Sequence, residues 1–292
     1  MLFNHYLSNY TTLKIGGPAE LFYEPKNIKE TINIINWANS KKIPYYIVGA
    51  GSNLLISDKG VSGLVICTRK IKGKVFNSEQ GILKANCGES LPGLARRAVK
   101  EGLEGLEWGI GIPGTLGGSV VMNAGAQGGS IDKSLISVTV YCKKRNQILE
   151  LEKKDLNFSY RSSIFQQGAF IVLSAKLKVF KSKNIFELNK KIEDNLRAKT
   201  STQPYQFPSC GSVFKNPENH QAGKIIDKIG LKGKKIGGAE ISDMHANFIV
   251  NKSKASSDDV IGLINLVKNR IKDKYGILLD LELKQLGFPR TD

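Results

Sequence analysis

The chain has 292 residues, 41% hydrophobic and 24% charged, and its 43 Lys and Arg against 26 Asp and Glu give a formal net charge of +17. That length accommodates two domains of ordinary size, and no apolar run approaches the roughly 20 residues that would span a bilayer. Only eight of the basic residues are arginines, so the excess is lysine spread along the whole chain; this pattern reads as a solvated surface with a general attraction for anionic substrates rather than a nucleic-acid groove.

The four cysteines, Cys67, Cys87, Cys142 and Cys210, are too widely spaced for a paired-ligand zinc motif and too few for a disulfide scaffold. With three histidines in the chain, no metal site is expected. Met1 to Tyr6 carries no basic segment followed by an apolar core, which makes a cytoplasmic location the expectation.

In chain order, Asn27 to Glu30 offers a helix cap, and Ile28, Ile32 and Ile35 then recur at helical spacing toward Asn39. Tyr45 to Val48 reads as a buried strand that runs into Gly49-Ala50-Gly51-Ser52-Asn53, a good platform for a ligand. Short strands follow around Leu64 to Thr68 and Ile82 to Cys87. Ser90 then caps a helix whose Leu91, Leu94, Ala95, Ala98 and Val99 share one face and which Gly102 ends.

Gly109 to Gly129 holds eight glycines in 21 positions, where 30 in 292 predicts about two. Interleaved apolar residues argue against a linker. Glycine this dense brings backbone close to something, and its amides can form a nest for a diphosphate. A phosphate-bearing cofactor follows as the first hypothesis.

Next come a strand from Val138 to Cys142, a hairpin partner from Gln147 to Leu151, and Ala169 to Phe180, where Ile171, Leu173, Ala175, Leu177 and Val179 alternate as in a half-buried antiparallel strand. Lys181 to Asn184 is a polar break. Beyond it the pattern predicts a helix to about Lys199, a Pro- and Ser-containing segment from Gln203 to Ser209, a second glycine-rich tract from Gly223 to Gly238 and a strand from Asn247 to Asn251. A helix capped at Ser256-Ser257 follows, with Val260, Leu263, Val267 and Ile271 on its apolar face, and then a strand from Ile277 to Leu283. This is α+β patterning, without the strand-helix alternation of a doubly wound sheet.

The individual motifs are ambiguous on their own. Gly49-Ala-Gly51 lacks the third glycine of a dinucleotide fingerprint, since position 54 is Leu54. Arg161, among hydroxyls in Ser159 to Ser163, could be a surface arginine. Ser212 follows Gly211 without a G-x-S-x-G pattern, so a serine hydrolase is disfavoured. Asp280 and Glu282 would share one face of a strand; such acids usually face solvent, but in an active site one could hold a proton.

Taken together, Gly49 to Leu55, Gly109 to Ala126, Tyr160-Arg161-Ser162, Gly211 to Pro217 and His245 to Asn251 occur in one chain in this order. They resemble the family of UDP-N-acetylenolpyruvoylglucosamine reductases, from Thr12-Leu-Lys-Ile-Gly16 to Glu282. The resemblance implies an α+β protein: a two-lobed FAD-binding domain of the vanillyl-alcohol-oxidase type over residues 1–182, with lobes of about 1–70 and 71–182, then a smaller α+β substrate-binding domain over 183–292. It implies bound FAD, reduction of that FAD by NADPH, and hydride transfer to the enolpyruvyl group of the UDP-sugar to give UDP-N-acetylmuramate for peptidoglycan synthesis.

By the same resemblance, Gly49, Ala50, Gly51, Ser52, Asn53, Leu54, Gly111, Ile112, Pro113, Gly114, Thr115, Gly117 and Gly118 surround FAD, with Asn123, Ala124 and Gly125 nearby. Tyr160, Lys215, Asn216 and His245 bind substrate, and the catalytic residues are Arg161, Ser212 and Glu282. Hydride addition to an enolpyruvyl ether leaves an enolate conjugated to the carboxylate. The cationic fork of Arg161 suits that charge, and Ser212 would deliver the proton to C2. Asp280, where the family usually has glutamate, and Leu283-Lys284, where valine-arginine is common, depart from the pattern. The short connection from Arg161 to the strand at Ala169 matches a compact subtype. A monomer acting on a small molecule is expected, with no nucleic acid and no membrane. Two alternatives remain: another FAD-dependent oxidoreductase of the same superfamily, and a basic nucleic-acid-binding protein.

Overall fold

Met1–Phe22, Gly51–Val65 and the residues from Thr200 onward gather into one compact unit, and Tyr23–Ala50 with Ile66–Lys199 into a second; the computed structural model describes residues 1–289. Helices and antiparallel strands are mixed in both units.

The second unit is built on a five-stranded antiparallel sheet in the order Gln147–Glu152, Leu135–Cys142, Phe170–Lys178, Ile82–Asn86 and Lys74–Asn77. Phe170–Lys178 was expected to be half-buried, yet Val172 and Ser174 are buried along with Ile171, Leu173, Ala175 and Leu177. The reason is its central position. Val172, Ala175 and Leu177 join the main apolar cluster, while Ile171 and Leu173 lie outside it, so both faces are covered. Tyr45–Val48 departs the other way: only Val48 is buried, because this strand is at the edge of its sheet.

Helix Leu91–Lys100 forms as its sequence predicts. Ser90 Oγ accepts the Gly93 amide, the five expected apolar residues are buried, and Gly102 follows with φ +68°. Burying each of the larger of these side chains stabilises the unit by about 1.5–3 kcal/mol. Asn27 caps Ile28–Ser40 by accepting the Glu30 amide. A further helix, Ile185–Thr200, belongs to this unit up to Lys199.

The first unit pairs Leu2–Tyr6 with Pro18–Tyr23 and contains a four-stranded antiparallel sheet, Ser209–Ser212, Phe248–Asn251, Ala239–Ile241 and Lys235–Ile236. Helix Ser257–Tyr275 begins in a Ser256/Asp259 capping box, buries Val260, Leu263, Val267 and Ile271, and ends at Gly276 in the left-handed region. The tract from Gly223 to Gly238 opens within a short helix, Ala222–Lys228.

The strand expected from Ile277 to Leu283 is not a ladder. Leu281 makes an isolated bridge to Phe214, and the regular strand is Lys284–Leu286, parallel to Leu54–Ile56. With Leu279 and Leu283 turned into the core, the Phe214 backbone meets this segment at one rung before it moves on to a second partner. The same pairing explains why the compact units do not break at residue 182. Leu13, Ile15 and Leu55 pack in the core formed by Val213, Phe214 and the C-terminal helix, which draws early residues into the unit of the late ones.

Candidate active site

Gly49, at the end of Tyr45–Val48, is held by residues 67 and 68. Its carbonyl lies 3.8 Å from Cys67 Sγ, and the Thr68 hydroxyl donates to Val48 O at 3.3 Å. A Cβ on Gly49 would stand 2.4 Å from Thr115 Oγ1, so the first glycine turn meets the second with no side chain between them. Thr115 Oγ1 is itself committed, because it accepts the Gly118 amide at the start of helix Leu116–Val121. Two glycine turns in contact, presenting main chain and one hydroxyl, fit a diphosphate-bearing group such as FAD. Gly49→Ala should therefore weaken FAD binding by about tenfold or more, read by titrating the apoprotein with FAD; unchanged affinity would show that this contact is dispensable.

Four of the eight glycines in 109–129 stand close against protein. A Cβ on Gly117 would lie 2.9 Å from Cys87 Cβ, on Gly129 2.3 Å from the Trp108 ring, on Gly109 3.0 Å from Leu91 and on Gly125 2.9 Å from Gly129 O. Residues 87–91 bind the turn directly: Gly117 N donates to Cys87 O, Leu116 N to Glu89 O and Leu91 N to Gly114 O. Ile112 and Ala124 pack on the apolar core. The carboxamide of Asn123, in the left-handed region at φ +43°, is spent on Ser159 O (2.9 Å) and the Asp132 amide (3.1 Å). It shapes the loop that carries Arg161.

Sequence reading missed Lys199. Lys191, Asn195 and Lys199 recur every four residues on one helix face, along residues 107–111. Lys191 Nζ is 3.7 Å from Glu107, Asn195 donates to Glu107 O at 3.2 Å, and Lys199 Nζ donates to Gly111 O at 2.9 Å. A cation thus reaches the glycine turn that backbone amides alone were expected to furnish. Burial first, and the charge of Arg161 second, lower the Lys199 ammonium from 10.5 to about 8. Since the unfolded chain binds the extra proton between those values, stability contributed through this group rises with pH from about 8 to about 10.5. The midpoint difference between wild type and Lys199→Met should shift toward wild type over that window, and a flat difference would refute the coupling.

Arg161 sits at φ +54°, and its guanidinium donates to Gly125 O at 3.2 Å and lies 5.2 Å from the centre of the Tyr160 ring. Tyr160 is 53% exposed. Gln166 Nε2 donates to Arg161 O at 2.8 Å and to Val121 O at 3.2 Å, and Ser163 Oγ to Val121 O at 2.7 Å. Left-handed backbone costs a non-glycine residue about 1–2 kcal/mol, and these bonds hold it there.

Ser212, Lys215, Asn216, His245 and Glu282 belong to the first unit, together with Gly51 to Leu54. Ser212 ends its strand after a bulge at Cys210-Gly211, where Gly211 has φ +78°. The neighbouring backbone pairs with the acidic segment: Lys215 N donates to Asp280 O and Glu282 N to Val213 O. Asn53 Nδ2 donates to Glu282 O at 3.0 Å, which joins the first glycine turn to the same segment. Asp280 is exposed and Glu282 half-buried. Gly51 is needed because a Cβ there would lie 2.0 Å from Tyr10 O.

Burial, then the charge of Lys215, lowers the Lys284 ammonium, so two lysines flank these acids. Asn216 Oδ1 accepts the Ala222 amide at 3.0 Å. The His245 imidazole is kept below its ordinary value, mainly by burial, and its Nδ1 accepts the Asn247 amide at 3.2 Å. The neutral ring therefore carries its proton on Nε2. Among the described residues, no cluster of metal-ligating side chains occurs, and no helix is long and apolar enough to cross a membrane.

Comparison with known proteins matches two stretches of the chain. Residues 19–151 match an FAD binding domain, and residues 203–286 match the C-terminal domain of UDP-N-acetylenolpyruvoylglucosamine reductase. The reductase of that name from Prochlorococcus marinus (strain NATL2A) is 52% identical over 282 residues, covering 97% of this chain and 96% of the relative. That of Synechococcus sp. (strain WH7803) is 46% identical over 288 residues, 98% of this chain and 93% of the relative. The crystal structure of UDP-N-acetylenolpyruvylglucosamine reductase from Thermus caldophilus superposes with a TM-score of 0.81 at 34% identity, over 96% of this chain and 97% of that one.

Proposed function

The chain belongs to the UDP-N-acetylenolpyruvoylglucosamine reductase family, and on that basis we propose that Arg161, Ser212 and Glu282 carry the proton and carboxylate chemistry of its reaction. The protein is an FAD-containing, NADPH-dependent oxidoreductase that reduces the enolpyruvyl group of the UDP-sugar to a lactyl ether, giving UDP-N-acetylmuramate for peptidoglycan synthesis. Residues 1–182 serve FAD and 183–292 the substrate, a reading supported by the matches at 19–151 and 203–286.

When bound, FAD would supply the hydride chemistry, with NADPH as its reductant. The match of residues 19–151 to an FAD binding domain is the observation that carries the cofactor assignment. Gly49 to Leu54 and Gly111 to Gly118 would hold FAD, and Lys199 adds positive charge at Gly111.

Arg161 presents a planar fork to the substrate carboxylate, where negative charge grows as the enolate forms. Ser212 Oγ–H gives its proton to C2 of that enolate, which is basic enough to take one from a hydroxyl. Glu282 orients the carboxylate end. Lys215 and Lys284 attract the anionic substrate, which Tyr160, Asn216 and His245 bind, the last donating from Nε2. We read the protein as a cytoplasmic monomer with no nucleic-acid partner, its lysine-rich surface raising the local concentration of anionic substrate.

The deciding experiment is anaerobic single turnover. The flavin should bleach with NADPH, recover its absorbance with the UDP-sugar, and yield the lactyl ether. Bleaching without recovery would refute the substrate assignment.

A further inference from the structure

The strand that delivers Ser212 stops where one would expect it to continue. Ser209 and Ser212 pair with Val250 and Phe248, a bulge lies between them, and Ser212 is the last residue of the strand. Bulges re-aim side chains but loosen the ladder around them. Beyond Ser212, Phe214 is buried, and its amide and carbonyl need partners.

Both partners come from one side chain. Phe214 N donates to Asn247 Oδ1 at 2.9 Å, and Asn247 Nδ2 donates to Phe214 O at 2.8 Å. Val213 N donates to the Asn247 main-chain carbonyl at 2.9 Å. Asn247 is buried, 4% exposed, and its own amide donates to His245 Nδ1. Its carboxamide, with one donor and one acceptor, therefore imitates the next rung of the sheet.

We propose that Asn247 is a positioning residue for proton transfer, its carboxamide replacing the ladder rung beyond the bulge and thereby fixing Ser212 and His245 in one frame. This rests on the reading of Ser212 as the proton donor. Asn247 touches neither hydride nor proton. It acts through the two residues it spaces.

The test uses the FAD-loaded protein and rapid mixing for each half-reaction. Asn247→Leu removes both side-chain bonds at similar volume. Flavin reduction by NADPH should stay within about twofold while reoxidation by the UDP-sugar slows about a hundredfold, the scale of an ångström-sized misplacement. In a Ser212→Ala background the same substitution should add less than about threefold, because its route of action is already gone.

Equal slowing of both half-reactions, or a full hundredfold loss on top of Ser212→Ala, would overturn the proposal, as would a full-speed Asn247→Leu enzyme. If Ser212→Ala alone leaves reoxidation unchanged, the proton-donor reading falls first, and that outcome is distinct from the others. Should Asn247→Leu fail to hold FAD, Asn247→Ser, small enough to admit a water to Phe214, takes its place under the same criteria.

Discussion

Ser212→Ala should leave flavin reduction by NADPH within about twofold and slow reoxidation by the enolpyruvyl sugar by about 10² to 10⁴, the range of a lost general acid. The asymmetry follows from where the proton is needed. Moving a hydride from the nicotinamide onto the cofactor asks nothing of Ser212, whereas the enolate formed on the substrate must be protonated at C2. The surroundings of Ser212 should survive the change: the Val213, Phe214 and Lys215 backbones keep their bonds to Asn247, Asp280 and Glu282, none of which uses the hydroxyl. Stopped-flow absorbance of the flavin reads both steps separately. Equal losses would mean that the substitution disturbs the site at large, and an unchanged second step would remove Ser212 from the chemistry.

Periodicity made helices legible where one face meets one core. Leu91, Leu94, Ala95, Ala98 and Val99 are buried as spaced, and so are Val260, Leu263, Val267 and Ile271. Strands were harder, because burial depends on neighbours the local sequence does not name. Tyr46 and Ile47 look like core residues but lie on an edge, while Val172 and Ser174 look like a solvent face but lie in the middle of a sheet. The pairing of Leu54–Ile56 with Lys284–Leu286 joins segments some 230 positions apart, beyond any window.

The site divides in the same way. Glycine density pointed to two turns, but it could not tell a glycine that would admit phosphate from one that stands against Trp108 or Cys87. The resemblance places Asn123 near the cofactor. Its carboxamide bonds Ser159 O and the Asp132 amide, partners that residue identity does not name. Lys199 and Asn247 escaped notice for a common reason: each works through main-chain carbonyls or amides, and such partners leave no mark in residue identity.

Arg161→Ala should slow reoxidation by about 10² to 10³ with FAD content unchanged, since a preorganised donor to developing charge is lost while the glycine turns remain. The backbone at this position is strained, and Gln166 and Ser163 secure the loop beside the arginine side chain's own bond to Gly125 O. Alanine should keep the loop through Gln166 and Ser163 and lose the fork together with its bond to Gly125 O. Arg161→Lys then separates charge from geometry. An ammonium restores the positive charge but offers no planar pair of donors, so it should recover part of the rate, about tenfold, and leave the rest missing. Full recovery by lysine would mean that charge alone matters at this position. Loss of FAD from the alanine variant would instead mean that the bond from Arg161 to Gly125 O holds the cofactor turn, and would move this residue from catalysis to cofactor binding.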